Sequence, residues 1–214
     1  MPSRSLLALL PALVLLLAAC SDEPTAPGAD DAAEPAEPTE PAVSTVALAD
    51  IDTSDLVVPR VGLCDGLPVA AVEAALGGEA RRSETWADGE EARLSAEVRD
   101  VAHEDGCRFD GPARTSAAAW VFTPPVSPAR AEELAESALD GAGRRCRDVP
   151  DAAAYGDPSV AQTCRSGPLR ETRYAGLVGD AWVTCSLSAP RSVERADLEE
   201  RADRWCAAVL SGEV

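Results

Sequence analysis

The residues of this chain with chemistry to offer are seven cysteines, one histidine, paired carboxylates such as Glu132-Glu133 and Glu199-Glu200, and a short arginine cluster. Six cysteines, Cys64, Cys107, Cys146, Cys164, Cys185 and Cys206, lie in the C-terminal part. Structural zinc calls for close pairs such as C-x-x-C, and the tightest step here is 18 residues, from Cys146 to Cys164. An even, widely spaced set in an exported chain reads instead as three disulfides. Pairing sequence neighbours gives Cys64–Cys107, Cys146–Cys164 and Cys185–Cys206, each closing a short loop; the sequence itself leaves fifteen connectivities open. His103 is the only histidine and stands in Ala102-His103-Glu104-Asp105-Gly106. A serine hydrolase would need it as base, yet no serine has a G-x-S-x-G or S-x-x-K setting. We therefore read His103 as an exposed loop residue. Glu132-Glu133 and Glu199-Glu200 fall on solvent faces of predicted helices. Arg144, Arg145 and Arg147 flank Cys146. They could hold an anion, but the preferred reading is that they neutralise the C-terminal end of a preceding helix. Trp120 and Trp182 fall on predicted strands, as core anchors or, on an exposed concave face, as a platform for an apolar ligand. Phosphate-loop, EF-hand and dinucleotide fingerprints are missing. No catalytic residue, cofactor or metal is expected.

The seventh cysteine, Cys20, closes the stretch MPSRSLLALLPALVLLLAAC. A basic residue, Arg4, precedes an apolar run from Leu6 to Ala19 broken only by Pro11. That order, ending in small residues, is an export signal and too short for a stable spanning helix. Leu17-Ala18-Ala19-Cys20 has the pattern of a bacterial lipobox, which predicts removal of residues 1–19 and acylation of Cys20. Residues 20–56 then read as an acidic tether. Pro24, Pro27, Pro35, Pro38 and Pro41 recur among Asp, Glu and Ala, and residues 21–56 contain no aromatic and no basic residue. Such a segment buries too little apolar area to order itself, and in polyproline form it would reach roughly 100 Å. The formal net charge of −18 argues against nucleic acid as a partner and against a polybasic hold on anionic lipid. The expected partners are the membrane, through Cys20, and an unidentified small molecule, cell-wall component or protein.

Residues 57–214 remain as one domain of ordinary size. Pro68 starts a helix with Val69, Val72 and Leu76 on one face, stopped by Gly77-Gly78. Ser83–Ala87 and Leu94–Ala102 read as strands joined by the acidic turn Asp88–Glu91, followed by a short strand, Cys107–Asp110. Ser116–Thr123 alternates, with Trp120 and Phe122 on one face and Ala119 and Val121 on the other. Ser127 caps a helix that runs to about Arg145. Val160–Arg165, Arg170–Leu177 and Ala181–Ala189 read as strands, the last two joined at Gly179-Asp180. Ser192 caps a final helix striped by Leu198, Ala202, Trp205 and Val209. The total predicts an α+β domain, an antiparallel β-sheet covered by about three helices and stabilised by disulfides.

Leu63-Cys64-Asp65-Gly66-Leu67-Pro68, running into a helix that ends Ala74-Ala75-Leu76-Gly77-Gly78, resembles the opening of the DUF3558 family of actinobacterial lipoproteins. Cys107, after Asp105-Gly106, matches that family's second cysteine. Phe109 stands where the family often carries Trp. The layout also resembles the extracellular sensor domains of mycobacterial receptor kinases. The resemblance implies a disulfide-bonded α+β module with Cys64 bonded to Cys107, and it supplies no activity. The absence of Lys and Asn, with abundant Ala, Gly, Pro and Arg, fits a GC-rich actinobacterial source. The expectation is a non-enzymatic surface lipoprotein that binds a ligand as a sensor or accessory module. The alternatives are an extracytoplasmic hydrolase using His103 and a purely structural envelope protein.

Overall fold

A computed structural model describes residues 46–93, 99–139 and 145–212. The predicted signal, Cys20 and most of the predicted tether lie outside these residues. Three α-helices are described: α1 (Val69–Leu76), α2 (Pro128–Leu139) and α3 (Arg195–Ser211). The strands are β1 (Arg82–Trp86), β2 (Glu91–Arg93), β3 (Arg99–Val101), β4 (Glu104–Asp110), β5 (Ser116–Phe122), β6 (Arg145–Asp148), β7 (Ser159–Ser166), β8 (Leu169–Val178) and β9 (Ala181–Pro190). Seven strands form one antiparallel sheet in the order β1-β4-β5-β9-β8-β7-β6. β2 and β3 make a separate two-stranded ribbon. The architecture is the expected disulfide-stabilised α+β fold.

Period-2 alternation on β5 assigns the two faces. Ala117, Ala119 and Val121 are fully buried beneath the helices, while Trp120 and Phe122 turn to the other side. The alanines matter because they leave room for a large indole. Trp205 of α3 seats there and donates its Nε1–H to the Ala118 carbonyl at 3.1 Å. It meets Phe109 edge-on at 6.1 Å. Leu198, Ala202, Cys206 and Val209 complete the buried stripe of α3. Cys206 is bonded to Cys185 in mid-β9, which clips α3 to the centre of the sheet with Cα atoms 5.6 Å apart. On the opposite face Trp182 is buried with Val126, Ala131, Ala175 and Leu177 under α2. Trp86 and Trp120 pack with Ala92 and Ala102 of the ribbon and its flank.

Helix α1 ends as its glycines require. Gly77 takes a left-handed φ of 73° and its N–H closes on the Glu73 carbonyl at 2.8 Å. The freed carbonyls are claimed from outside: Thr115 donates to Leu76 at 3.0 Å, and the Arg201 guanidinium donates to Ala75. Cys64 joins Cys107 of β4 just ahead of this helix, with a Cα separation of 6.1 Å. Cys146 and Cys164 face each other in register across β6 and β7 at 3.9 Å.

Several local expectations need correction. Val69 is 71% exposed, because the first turn of α1 lies outside the packed contact. β1 does not form a hairpin with the segment after Asp88–Glu91; it pairs with β4 and sets Trp86 opposite Gly106. A Cβ at Gly106 would come within 2.7 Å of the Trp86 ring, so the missing side chain is what admits the indole. The predicted strand Leu94–Ala102 is present only as Arg99–Val101, and residues 94–98 lie outside the described set. The second helix does not run to Arg145: it is described as far as Leu139, residues 140–144 lie outside the described set, and residues 145–148 are a strand tied by the Cys146–Cys164 bond. Ser192 does not cap α3, because residues 190–193 form a turn closed by Val193 N–H on the Pro190 carbonyl and Glu194 takes the cap position. The packed region also begins before residue 57. Leu48 is 1% exposed and donates its N–H to Asp203 of α3 at 3.3 Å, and Ile51 and Leu56 pack beside it.

Candidate functional site

Sheet register builds the most distinctive site. β6, β7 and β8 are adjacent, and their pairing sets Arg145 opposite Arg165 and Arg165 opposite Arg170. Three guanidiniums therefore stand in one row across three strands, on the face that carries α3. The next row is Arg147, Thr163 and Thr172. Arg195, the first residue of α3, leans over the same spot. Together Arg145, Arg147, Thr163, Arg165, Arg170 and Arg195 line a cavity of about 320 Å³, with Cys146 at its edge.

The floor is held by a chain of polar contacts. Thr163 donates to Glu199 Oε1 at 2.7 Å and lies 2.9 Å from the Thr172 hydroxyl. With the Thr163 proton committed to Glu199, Thr172 must be the donor in the second contact. Glu199 Oε1 also sits 3.8 Å from Arg195 Nε, with its side chain only 13% exposed. The phenol of Tyr174, behind this floor, is pushed far up by burial and by the charges of Asp203 and Glu199. Arg170 donates to the Val193 carbonyl at 2.6 Å, which fixes its head toward α3. Guanidiniums stay protonated at any physiological pH and present donors in a planar fork. The arrangement can therefore bind and orient an anion, but it cannot shuttle protons.

The other singled-out residues are dispersed. His103 has an 83% exposed side chain, 3.6 Å from Asp88 Oδ1, and lines neither cavity described here. Glu132 and Glu133 are exposed on α2, and Glu133 meets Arg130 at 2.6 Å. Glu200 pairs with Arg204 on the surface. Glu199 departs from the solvent-face expectation because β7 presents Thr163 to it. Trp120 and Trp182 do share a sheet face, but α2 and the ribbon cover it, so it offers no open platform. Arg145 and Arg147 belong to an edge strand and border the arginine-lined cavity rather than forming the last turn of a helix; Arg144 and Cys20 lie outside the described residues. Arg165, Arg170 and Arg195 escaped notice because nothing in their spacing brings them together. A second cavity, of about 460 Å³, runs between the loop from Leu56 to Gly66 and the end of α3 at Val209–Gly212.

Among the described residues no group of three or more His, Cys, Asp and Glu side chains is placed to hold a metal ion, and no helix is long and apolar enough to cross a membrane. No family model and no curated protein matches the chain. Solved structures that are distantly similar include the following two. The extracellular domain of PknH from Mycobacterium tuberculosis aligns at 12% identity and a TM-score of 0.39, over 74% of this chain and 98% of that one. A GTP-binding regulator from Thermotoga maritima aligns at 12% identity and a TM-score of 0.32, over 69% and 94%. Likeness at this level bears on neither ligand nor activity.

Proposed function

We propose that this chain is an exported, lipid-anchored and non-enzymatic binding module, a sensor or accessory protein of the cell envelope, of the kind the DUF3558 resemblance implies. The observation that carries the binding reading is the arginine-lined cavity: a concave site rich in cationic donors, two of which, Arg170 and Arg195, are held by neighbours. Export is supported by the signal and by three disulfides, which persist where no thiol pool reduces them. Anchoring rests on the Leu17-Ala18-Ala19-Cys20 junction, since the two or three acyl chains of a bacterial lipoprotein hold stably where one does not. Catalysis by His103 has no geometric support: a general base needs an oriented nucleophile within hydrogen-bond reach, and this imidazole faces solvent beside a carboxylate. A panel of esterase, amidase and peptidase substrates tests the reading. No turnover is expected; turnover that disappears in His103→Ala would overturn it in favour of the hydrolase.

A further inference from the structure

We propose that the arginine cavity binds a small phosphate-bearing anion, a phosphomonoester or diphosphate group. This rests on the binding-module reading and names its ligand class. The argument begins with what the sheet tolerates. Cross-strand neighbours on one face have Cβ atoms about 4.5–5.5 Å apart, and like charges there destabilise the pairing. The row Arg145, Arg165, Arg170 places two such like-charged pairs side by side. Arg147 and Arg195 add two more cations to the same cavity. Carboxylates are not in short supply in a chain with 37 Asp+Glu. Yet among the described residues the carboxylate at the floor is Glu199, already engaged by Thr163 and Arg195. Among the described residues Arg145, Arg147 and Arg165 have no ion pair or hydrogen-bond partner. Arg145, Arg147 and Arg165 are exposed, yet all five arginines border one cavity, contributed by three strands and a helix end.

The size and geometry select the ligand. A cavity of about 320 Å³ is at the small end of the range for organic ligands. Guanidinium forks match phosphate and carboxylate oxygens in bidentate fashion. Five cations against one carboxylate favour a group carrying two or more negative charges over a lone carboxylate. A phosphomonoester or a diphosphate supplies that charge in a compact volume. The source could be a soluble metabolite or a lipid headgroup, and the chemistry of recognition is shared.

The test uses the full chain exported as Cys20→Ala, titrated calorimetrically with pyrophosphate, glycerol 3-phosphate and citrate. It is also mixed with phosphatidylcholine vesicles, with and without phosphatidic acid. Pyrophosphate or glycerol 3-phosphate is expected to bind, and more weakly as salt is raised. Arg165→Gln should weaken binding at least tenfold, while Arg81→Gln, an exposed arginine outside the cavity, should change it less than twofold. Arg165→Gln should also leave the melting temperature of the unliganded protein unchanged or higher, since it relieves the row. Binding confined to phosphatidic acid vesicles supports the proposal with a lipid source, and binding of the soluble phosphates supports it with a soluble one. The proposal is overturned by absence of binding to all phosphate probes, by citrate binding as tightly as pyrophosphate, or by equal loss in Arg165→Gln and Arg81→Gln. If the phosphate probes fail while the enzyme panel stays silent, the ligand assignment falls and the binding-module reading stands.

Discussion

The bond Cys185–Cys206 should stabilise the fold more than the bond Cys146–Cys164, although the two close loops of nearly equal length. The sequence separations are 21 and 18 residues. The chain-entropy relation gives about 3.3 and about 3.2 kcal/mol for loops of those sizes. What separates them is the native state. Cys185 and Cys206 are both fully buried, on the central strand and on the helix whose Trp205 fills the core. Replacing both with Ala loses the loop restraint and also the sulfur packing, worth roughly 1 kcal/mol more. The total is about 4 kcal/mol, and at 2–4 °C per kcal/mol for a domain of this size the melting temperature should drop by roughly 8–16 °C.

Cys146 instead belongs to a four-residue edge strand with exposed Arg145, Arg147 and Asp148. Without its bond that strand can open locally while the rest stays folded. The native state then regains part of the freedom that the unfolded state gains, so the loss should be about 1–2 kcal/mol and roughly 2–8 °C. Guanidinium denaturation followed by tryptophan fluorescence, with calorimetry in parallel, measures both double variants, Cys185→Ala/Cys206→Ala and Cys146→Ala/Cys164→Ala. Because removing a bond lets the unfolded chain expand, m should rise in both variants, so the losses are read as fitted free energies and not as midpoint shifts. Equal losses for the two pairs, or a larger loss for the edge pair, would refute the reasoning that native burial and local opening set the difference.

Cys20→Ala, expressed in an actinobacterial host, should leave the membrane fraction as an unprocessed or released form, read by fractionation and intact mass. Gly176→Ala should cost at least about 2 kcal/mol in a urea titration, because a Cβ there strikes the backbone carbonyl of Tyr155; Gly167→Ala, at φ 55° in open space, should cost about 1 kcal/mol or less. Glu104→Gln should raise the melting temperature near pH 7 and have no effect near pH 3. Burial holds the Glu104 carboxyl above its ordinary 4.5, with the neighbouring Trp86 indole pulling the other way. Below 4.5 the group is protonated in both states and imposes no penalty. The penalty develops as pH rises from there through the raised folded value, and persists above it.

What the sequence shows well is what local patterning controls. The alternation of Ala119, Trp120, Val121 and Phe122 assigns two sheet faces, and Gly77 marks a helix end at the one residue that must take a left-handed φ. The apolar stripe of α3 identifies its buried side without knowledge of what it packs on. What stays hidden is pairing. β1 joins β4 because Gly106 leaves space for Trp86, a fact about two segments some twenty residues apart. Residues 145–148 read as a helix end because their arginines suit one; the bond to Cys164 makes them a strand. Leu48 reads as tether because its neighbours are acidic, but its contact with Asp203 spans 155 positions. The arginine site is the extreme case: its five members are spread from 145 to 195, and only the register of three strands makes them neighbours.

The edge disulfide and the arginine row are parts of one problem. Arg145 and Arg165 face each other in the register position next to Cys146 and Cys164, so repulsion that would peel β6 from β7 acts one residue from the bond that prevents it. An edge strand of four residues has few ladder hydrogen bonds with which to resist such repulsion, and among the described residues its other side is unpaired. The covalent bond therefore holds two guanidiniums of the row in place when the cavity is empty, and an anion in the cavity offsets the same repulsion when it is filled. The two effects should be coupled. In Cys146→Ala/Cys164→Ala, part of each binding event must go into restoring β6, so the affinity for pyrophosphate should fall severalfold. By linkage, saturating pyrophosphate should then stabilise the double variant through the same closure of β6. Raising salt screens the repulsion over about a Debye length, and should bring the unliganded melting temperatures of parent and variant closer together. Pyrophosphate affinity that is identical in the two proteins would show that the row stands without the bond, and that β6 is held by its ladder alone.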